Sequence, residues 1–198
     1  MTTSLRIVPA NEASWDDLQA VFGTRGAASR CWCQRFKLAR GESFGNTPTE
    51  DRARRLRQQT ACDDPASGAT SGLVAYVDGV PAGWCAVEPR SAYAGLLRVF
   101  KVPWEGRDED RTDPSVWALT CVLVRAGYRR SGLSHELVAA AVPFARDRGA
   151  RALEGYPITT TDVIAEELHV GTVAAFAAAG FEVVSRPTLR RVVMRIDF

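Results

Sequence analysis

The chain has 198 residues, 46% of them hydrophobic, which is enough apolar material for one buried core and little for two. We therefore predict a single domain over residues 1–198. Lys and Arg number 25 against 23 for Asp and Glu, and this net charge of +2 excludes the basic excess of general nucleic-acid binders. No apolar run is long enough to span a bilayer and the start resembles no secretion signal, so we expect a cytoplasmic protein without a membrane partner.

The first third of the chain predicts a strand and two helices. Residues 5–10 form the strand, and Ser14 caps a helix whose first turn carries carboxylates. The second helix has Thr47 as N-cap, Pro48 at the first helical position and Glu50 three residues after the cap, a capping box. Its arginines have acidic neighbours and indicate a solvated helix face rather than a nucleic-acid patch. They are Arg52, Arg54, Arg55 and Arg57.

A hairpin and a long loop follow. Residues 72–89 hold two alternating apolar runs joined at Asp78-Gly79, a pair that suits the left-handed backbone angles of a tight turn. From 91 to 114 the sequence becomes irregular, and residues 104–114 are so polar that we predict an exposed loop. Long loops in compact domains often serve binding, and a surface insertion without a role is the alternative.

The second half of the chain alternates strands and helices. A strand over 116–124 leads to a helix from 133 to 148, which Gly149 ends. The remaining predicted elements are a strand over 151–158, a helix over 172–180 ended by Gly180, and two strands within 181–187 and 190–198. This order predicts a mixed sheet with helices packed on it.

The junction between the strand over 116–124 and the next helix has the chemistry of an anion site. The first N–H groups of a helix are unpaired and carry positive partial charge. Gly132 allows close approach to the backbone, while Arg129 and Arg130 add full positive charges. The sequence therefore predicts a site for a diphosphate or a similar anion.

Three familiar motifs do not match this junction. A dinucleotide fold needs G-x-G-x-x-G and a P-loop needs G-x-x-x-x-G-K followed by Ser or Thr, and neither pattern occurs here. The segment 132–136, GLSHE, approaches the nucleophile elbow G-x-S-x-G, but Glu136 replaces the final glycine that the tight turn requires. We expect His135 to face solvent on the helix.

The six residues 129–134, RRSGLS, resemble the pyrophosphate loop of the GNAT superfamily of N-acyltransferases, which has Arg or Gln, two variable residues, Gly, one variable residue and Gly or Ala. Ser134 stands at the final small position. The resemblance extends over most of the chain, because the hairpin, the strand over 116–124 and the segment 172–186 are similar to family elements in the family's order.

The resemblance implies an α/β fold with a mixed, mostly antiparallel sheet, flanking helices and a splayed parallel strand pair at the cofactor site. It also implies acetyl-CoA as cosubstrate. The backbone groups expected to hold the pantetheine arm belong to Val122, Leu123 and Val124. The residues expected to hold the diphosphate are Arg129, Arg130, Ser131, Gly132, Leu133 and Ser134.

The catalytic residues are less clear from the resemblance. Acyl transfer to an amine needs a neutral nucleophile, donors for the developing oxyanion and an acid for the departing thiolate. Phe176 replaces the tyrosine that the family often uses as this acid, and the strand lacks the carboxylate that many members use as a base. His169 stands where many members have an asparagine near the thiol, and its side chain exchanges protons near neutral pH. It is the leading catalytic candidate.

Five other residues are weaker candidates. Glu154 and Glu88 are candidates for orienting a base water or binding a cationic acceptor, and Tyr128 and Tyr156 are candidate proton donors. Cys121 suggests an acyl-enzyme, but nothing in the sequence indicates a lowered thiol pKa, and a cysteine in a strand core is the commoner case.

The five cysteines are scattered and odd in number, which is unlike a disulfide framework. Cys31 and Cys33 form C-x-C, but a closed zinc site needs four ligands, so we expect no metal site here. Trp32 and Phe36, in the same segment, are candidates for the wall of an acceptor cleft. Alternatively, they seal the helix pair against the sheet.

The predicted activity is transfer of the acetyl group of acetyl-CoA to a primary amine of a small molecule, an amino acid or a peptide, within a ternary complex. The missing tyrosine and carboxylate leave a second hypothesis, a non-catalytic acyl-CoA-binding module. We expect the loop 101–115 and the connection 159–167 to shape the acceptor site. The oligomeric state stays open, with a homodimer as one option.

Overall fold

A computed structural model describes residues 3–160 and 162–198, so Thr161 of the connection 159–167 lies outside the described part. Within this part, the strands are β1 Leu5–Pro9, β2 Gly72–Val77, β3 Val80–Pro89, β4 Val116–Val124, β5 Ala152–Gly155, β6 Glu182–Ser185 and β7 Val193–Asp197. They form one sheet in the order β1-β2-β3-β4-β5-β7-β6. Neighbouring strands are antiparallel except for the parallel pair β4 and β5. The predicted mixed, mostly antiparallel sheet is confirmed.

Helices pack on both faces of this sheet. The α-helices of the described part are α1 Trp15–Phe22, α2 Gly26–Cys31, α3 Thr49–Thr60, α4 Ala94–Arg98, α5 Leu133–Arg146 and α6 Val173–Ala178. Short 3-10 segments cover Ala10–Glu12, Arg90–Ala92, Ala126–Tyr128 and Ala165–Val170. In residues 3–160 and 162–198, no helix combines the length and the apolar character that crossing a membrane requires.

The start of α1 agrees with the sequence analysis. The Ser14 hydroxyl accepts a hydrogen bond from the Asp17 N–H at 3.1 Å, and the Ser14 N–H donates to the Asp17 carboxylate at 3.2 Å. These two bonds satisfy donors that a helix N-terminus otherwise leaves unpaired. The predicted helix cap at Ser14 is confirmed.

The start of α3 differs from the sequence analysis. Pro48 is the cap residue rather than the first helical residue, and no side chain caps this end. The predicted capping box from Thr47 to Glu50 is therefore wrong. Instead, the Thr47 hydroxyl donates to the Asn46 side chain at 3.4 Å, and the Arg52 guanidinium donates to the Thr47 carbonyl.

Arg52 also corrects the prediction of a solvated arginine face. It is only 4% exposed, and its Nε donates to the Arg30 carbonyl at 2.7 Å and its Nη1 to the Phe44 carbonyl at 3.1 Å. A guanidinium carries five donors, so one buried arginine can tie several loop carbonyls to a helix. The prediction holds for Arg54 and Arg57, which are exposed.

The hairpin of β2 and β3 has the predicted turn. Asp78 and Gly79 both have left-handed angles, with φ of 50° and 79°. The Asp78 side chain accepts a hydrogen bond from the Ser4 N–H at 2.8 Å, and the Asp78 N–H donates to the Ser4 carbonyl at 2.8 Å. The turn is thereby joined to the residue that precedes β1.

The sheet carries a core on each face. The core under α5 and α6 includes Leu119, Leu137, Val138, Leu153 and Phe176. The core under α1 and α3 includes Leu18, Trp32, Leu56, Val74 and Trp84. A third cluster continues the α1 face beside β5 and includes Phe36, Tyr93, Ala118, Tyr156, Ile158 and Val170.

The loop 101–115 is more firmly anchored than predicted. Asp108 and Asp110 are exposed as expected, but Trp104 is buried and its indole N–H donates to the Leu96 carbonyl at 3.1 Å. Arg107 extends inward to Glu154, with Nη2 2.5 Å from the carboxylate. The prediction of an exposed loop is wrong for these two side chains, because each finds a polar partner inside the fold.

Candidate active site

The parallel strands β4 and β5 separate part-way along their length. Residues Val116 to Leu119 of β4 pair with Ala152 to Gly155 of β5. Within the described residues, this pairing stops at Leu119, whereas β4 continues to Val124 along β3. The backbone edge of residues 120–124 therefore borders a gap, which we call the β4/β5 opening.

The predicted strand over 151–158 ends early for a local reason. After Gly155, the Tyr156 carbonyl accepts two hydrogen bonds from Arg191, at 3.0 and 2.7 Å, in place of a strand neighbour. Pro157 has no N–H to offer to a ladder. Ile158 then bridges to Thr172 and Arg191 rather than to β4. The chain therefore turns away from β4 and leaves the opening.

A bulge in β4 lies at the inner end of this opening. Leu119 is opposite Val87 and Cys121 is opposite Ala86, so Thr120 is an extra residue on β4. A bulge interrupts the regular alternation of a strand and redirects its backbone and side chains. Val122 contributes to the core under α5, and Leu123 contacts the core under α1.

The predicted anion loop lies at the outer end of the opening. Arg130 and Gly132 have left-handed φ values of 63° and 82°, and α5 begins at Leu133. No atom lies within 4 Å of a Cβ added at Gly132. Glycine is therefore favoured here by its backbone angle, and the space beside it is free of protein atoms.

The charge at this loop is uncompensated. Arg129 and Arg130 are exposed, and neither forms an ion pair within the part of the chain that the structure describes. The first hydrogen bond of α5 runs from the His135 N–H to the Gly132 carbonyl at 2.8 Å, so the N–H groups of Leu133 and Ser134 precede it. Two cations and free helix N–H groups at one place suit a diphosphate. The assignment of this loop to a ligand stays a prediction.

His169 lies in the 3-10 segment Ala165–Val170, which packs on β4. Its Nδ1 is 2.7 Å from the Glu166 carbonyl oxygen, so Nδ1 carries the proton and Nε2 carries the lone pair. Nε2 is buried and has no hydrogen-bond partner in residues 3–160 and 162–198. The ring stands beside Phe36, with 6.3 Å between centroids.

The surroundings of His169 keep it neutral. Burial lowers the pKa of its imidazole to about 4, against the opposing effect of the Glu166 carbonyl, and the charges of Arg35 and Arg191 lower it further. The side chain is therefore an acceptor of hydrogen bonds at neutral pH. It borders a cleft of about 460 Å³, which we call the His169 cleft. The lining residues are Arg35, Ile158, Ile164, Glu166, Glu167, His169, Arg190 and Arg191.

His169 is expected to make folding sensitive to acid. Between pH 6.5, the ordinary pKa of histidine, and pH 4, the unfolded chain binds a proton that the folded chain rejects, so stability falls as pH drops through this range. His169→Gln is expected to remove about 2–3 kcal/mol of this loss between pH 7 and pH 4. Urea unfolding at pH 4, 5.5 and 7 measures it. The control is the exposed His135→Gln. If stability changed equally with pH in the wild type and in both variants, His169 would not be the source of the acid sensitivity.

Glu154 lies in a closed ion cluster. Its side chain is 0% exposed, and its carboxylate meets Arg90 at 3.2 Å, Arg107 at 2.5 Å and Arg195 at 2.9 Å. The Tyr156 hydroxyl donates to the same carboxylate at 3.2 Å. All of the acceptor capacity faces protein donors. This geometry favours a structural role over the base or cation-binding role that the sequence suggested for Glu154.

Glu88 is also enclosed. It is buried at the end of β3 and forms an ion pair with Lys37, whose ammonium lies 5.2 Å from the centre of the Tyr93 ring. Burial raises the pKa of the Glu88 carboxyl, and Lys37 opposes this effect. Sequence reasoning did not include Lys37 or Tyr93, because only the fold brings these distant residues to Glu88.

Two further candidates lie apart from the His169 cleft. Tyr128 directly precedes the anion loop, where its carbonyl accepts from the Ser131 hydroxyl at 2.6 Å and its ring packs against the core under α5. Cys121 lies beside the buried Cys33, whose thiol has a pKa raised by burial and by Cys121. The structure places neither residue in the lining of the cleft.

Phe176 fills the place where the resemblance would put a tyrosine. It is fully buried, with its ring against Gly155 and Gly171 and its edge toward Phe181 at 4.9 Å between centroids. Phe176 therefore contributes core packing at the position where a tyrosine would contribute a hydroxyl group. This side chain supplies no proton.

The two aromatic candidates for the cleft wall have different positions. Trp32 stacks on Phe22, with 5.0 Å between centroids, and on Trp15, with 5.4 Å, so it packs the helices against the sheet. Phe36 belongs to the cluster beside β5 and stands next to His169. The sealing alternative describes Trp32, whereas Phe36 packs beside His169 without belonging to the lining of the cleft.

Comparisons with known proteins agree with this geometry. Residues 32–170 match the family model described as the Acetyltransferase (GNAT) family. No curated protein has a sequence that matches the chain significantly.

Several solved structures have a similar fold. A GNAT-family acetyltransferase from Streptococcus pneumoniae is 15% identical with a TM-score of 0.52, covering 98% of this chain and 100% of its own. The structure of yncA from Salmonella typhimurium, solved with acetyl-CoA, is 14% identical with a TM-score of 0.55, covering 100% of this chain and 94% of its own. Ribosomal-protein-alanine N-acetyltransferase from Brucella melitensis is 18% identical with a TM-score of 0.54, covering 98% and 99%. At these identities the likeness concerns the fold.

Proposed function

Because the chain belongs to the GNAT family of acetyltransferases, we propose that it moves the acetyl group of acetyl-CoA to a primary amine by direct attack within a ternary complex. The observation that supports this best is the position of the anion loop. It follows directly from the strand whose edge borders the β4/β5 opening, so one continuous stretch offers a backbone edge and a diphosphate site.

The residues at this stretch fit the chemical parts of acetyl-CoA. Arg129, Arg130 and the first N–H groups of α5 suit the diphosphate, and they have no protein anion of their own in the described residues. The edge of residues 122–124 suits the amide groups of an extended pantetheine arm, which pair as a strand neighbour does. The thioester is then directed toward the bulge at Thr120 and the packed segment that carries His169.

In the proposed reaction, the neutral amine attacks the thioester carbonyl, a C–N bond forms, the C–S bond breaks, and the departing thiolate takes up a proton. Backbone N–H groups at the β4 bulge are suited to the developing oxyanion. His169 is neutral, and its Nε2, which has no partner among the described residues, would accept a hydrogen bond from the amine. Glu154 and Tyr156 hold β5 in place rather than exchanging protons, because their polar atoms are committed to each other and to arginines.

The basic test of this proposal separates binding from turnover. Acetyl-CoA at about 100 times its Kd is expected to stabilise the protein by about 2.7 kcal/mol, which calorimetry or urea unfolding detects. Amines, amino acids and peptides are then assayed with acetyl-CoA by the free thiol that transfer releases. Binding without thiol release across the whole panel would favour a non-catalytic acyl-CoA-binding module. Absence of binding would contradict both functions.

The anion loop gives a sharper test. Replacing both Arg129 and Arg130 with Ala removes two charges from the diphosphate site, and the affinity for CoA is expected to fall about tenfold to a hundredfold. Titration calorimetry measures the affinities for CoA and for pantetheine. Only CoA carries the diphosphate, so only its affinity should depend on the two arginines. The matched control is Arg146→Ala at the exposed far end of α5, which should leave both affinities unchanged. Equal loss for both ligands would argue against the diphosphate assignment.

A further inference from the structure

The His169 cleft contains an arginine pair without a counter-ion. Three arginines and two glutamates line it, and Arg190 is paired with Glu167 at 2.7 Å. Among the described residues, neither Arg35 nor Arg191 forms an ion pair with a carboxylate. Glu166 is exposed, and its carbonyl rather than its carboxylate meets His169. The cleft therefore carries two cations that the protein does not neutralise.

Arg191 is held in place without being neutralised. Its Nε and Nη2 donate to the Tyr156 carbonyl at 3.0 and 2.7 Å, and this neutral partner fixes the plane of the guanidinium. Burial lowers the pKa of Arg191, and the nearby charge of Arg35 lowers it further, against the opposing charge of Glu167. Holding a partly buried charge beside a like charge costs free energy. Such an arrangement is most readily explained by an anionic ligand.

Arg35 approaches the same place from a different part of the chain. It follows α2 and precedes Phe36, whose ring is anchored in the cluster beside β5. Arg35, Arg191 and His169 all line the same cleft, and the charges of both arginines act on the His169 ring. His169 is part of this lining, and its Nε2 is buried and has no hydrogen-bond partner among the described residues.

We propose that the acceptor is a primary amine that also carries a carboxylate, which binds between Arg35 and Arg191 and places the amine beside His169. This inference rests on the proposed acetyl transfer and specifies its substrate class. Guanidinium groups bind carboxylates through paired hydrogen bonds, which fix the orientation of the ligand as well as its charge. A cleft of about 460 Å³ suits a small molecule or the end of a peptide.

The carboxylate also has a consequence for the chemistry. Burial is the main cause of the lowered pKa of His169, the charges of Arg35 and Arg191 add to it, and Glu167 opposes it; a bound carboxylate adds a negative charge against the two arginines, so we expect the pKa to rise when the acceptor binds. His169 is then a better proton acceptor in the ternary complex than in the free protein. Acceptor binding and activation of the base are thereby coupled.

The test compares acids with their uncharged counterparts. Phenylalanine, lysine and glycylglycine are each assayed with acetyl-CoA against the corresponding carboxamide, and kcat/KM for the best acid is expected to exceed that for its amide at least about tenfold. Arg35→Gln should lower kcat/KM for the acid about tenfold to a hundredfold and leave the amide nearly unchanged. Arg35→Lys keeps the positive charge but cannot form the paired hydrogen bonds of a guanidinium group. This variant should therefore recover part of the lost kcat/KM for the acid. The control is the exposed Arg25→Gln, which lies outside the cleft.

A second readout works without turnover. The chain has only two histidines, so the His169 ring is readily assigned by NMR with His169→Gln as reference. Adding 3-phenylpropionate is expected to raise the pKa of His169 in the wild type and not in Arg35→Gln, whereas 3-phenylpropionamide should change neither. This measures the carboxylate site separately from acetyl transfer.

The outcomes separate the two proposals. Equal kcat/KM for acids and amides, or equal effects of Arg35→Gln on both, overturns the carboxylate site while acetyl transfer stands. Silence with every amine, together with a carboxylate-dependent pKa at His169, supports the anion site and overturns acetyl transfer. If no amine releases thiol and the pKa of His169 does not change with 3-phenylpropionate, both acetyl transfer and the carboxylate site are overturned.

Discussion

Glu154→Gln is expected to lower the free energy of unfolding by about 3–5 kcal/mol, because it leaves three arginine side chains around a site that has lost its central negative charge. Arg90, Arg107 and Arg195 all lie within 3.2 Å of the Glu154 carboxylate, which is 0% exposed. Glu109 also contacts these arginines, but it is 30% exposed and therefore compensates only part of their positive charge. Urea unfolding of the variant and the wild type measures the difference.

A matched control comes from the same cluster. Asp197 pairs with Arg195 at 2.7 Å but is 66% exposed, so Asp197→Asn should cost only about 0–1 kcal/mol. If both variants lost the same free energy of unfolding, burial of the carboxylate would not determine how much its removal destabilises the protein. A folded Glu154→Gln protein with wild-type stability and lost turnover would instead restore the catalytic role that the sequence suggested.

Gly155→Ala is expected to cost about 3 kcal/mol, since a methyl group at this position would overlap the ring of Phe176. The ring cannot move aside easily, because a Cβ at Gly171 on its other side would lie 2.7 Å from it and Phe181 meets its edge. The substitution therefore strains the end of β5 against α6. Thermal or urea unfolding measures the loss.

A double variant tests this explanation. Phe176→Ala alone should cost about 3–5 kcal/mol by leaving a cavity. Combined with Gly155→Ala, the total should fall short of the sum by about 1–2 kcal/mol, because the added methyl group then enters vacant space. Strict additivity would contradict the proposed contact. Gly68→Ala is the control, because no atom lies within 4 Å of its added Cβ and its backbone has an ordinary φ.

Local features of the fold could be predicted from the sequence. The Asp78-Gly79 turn, the Ser14 cap and the apolar run of β4 each depend on residues close together in the chain. Arg52 and Arg107 could not be placed in this way. Both look like surface arginines within polar segments, and only carbonyls or carboxylates from distant residues explain their burial.

In the candidate site, too, the part made of neighbouring residues could be predicted, and the part that distant residues form could not. The anion loop occupies six consecutive residues, 129–134, so its chemistry was visible as a motif. The His169 cleft combines Arg35, His169 and Arg191, which come from three separate parts of the chain. A sequence pattern names His169 as a candidate but cannot show that two arginines meet it. Only the fold brings Arg35 and Arg191 to His169.

The packing of α5 has a consequence for the routes by which two substrates reach one point. This helix packs against β2, β3, β4 and β5, so it covers one face of the sheet across the line where β4 and β5 part. Phe36, Ala118 and Tyr156 belong to the opposite face, where the His169 cleft lies. If the protein transfers acetyl groups as proposed, the acceptor would enter and its product would leave on the side away from α5. One acceptor molecule would then exchange for another without release of acetyl-CoA, because the two substrates would enter from different sides of the sheet.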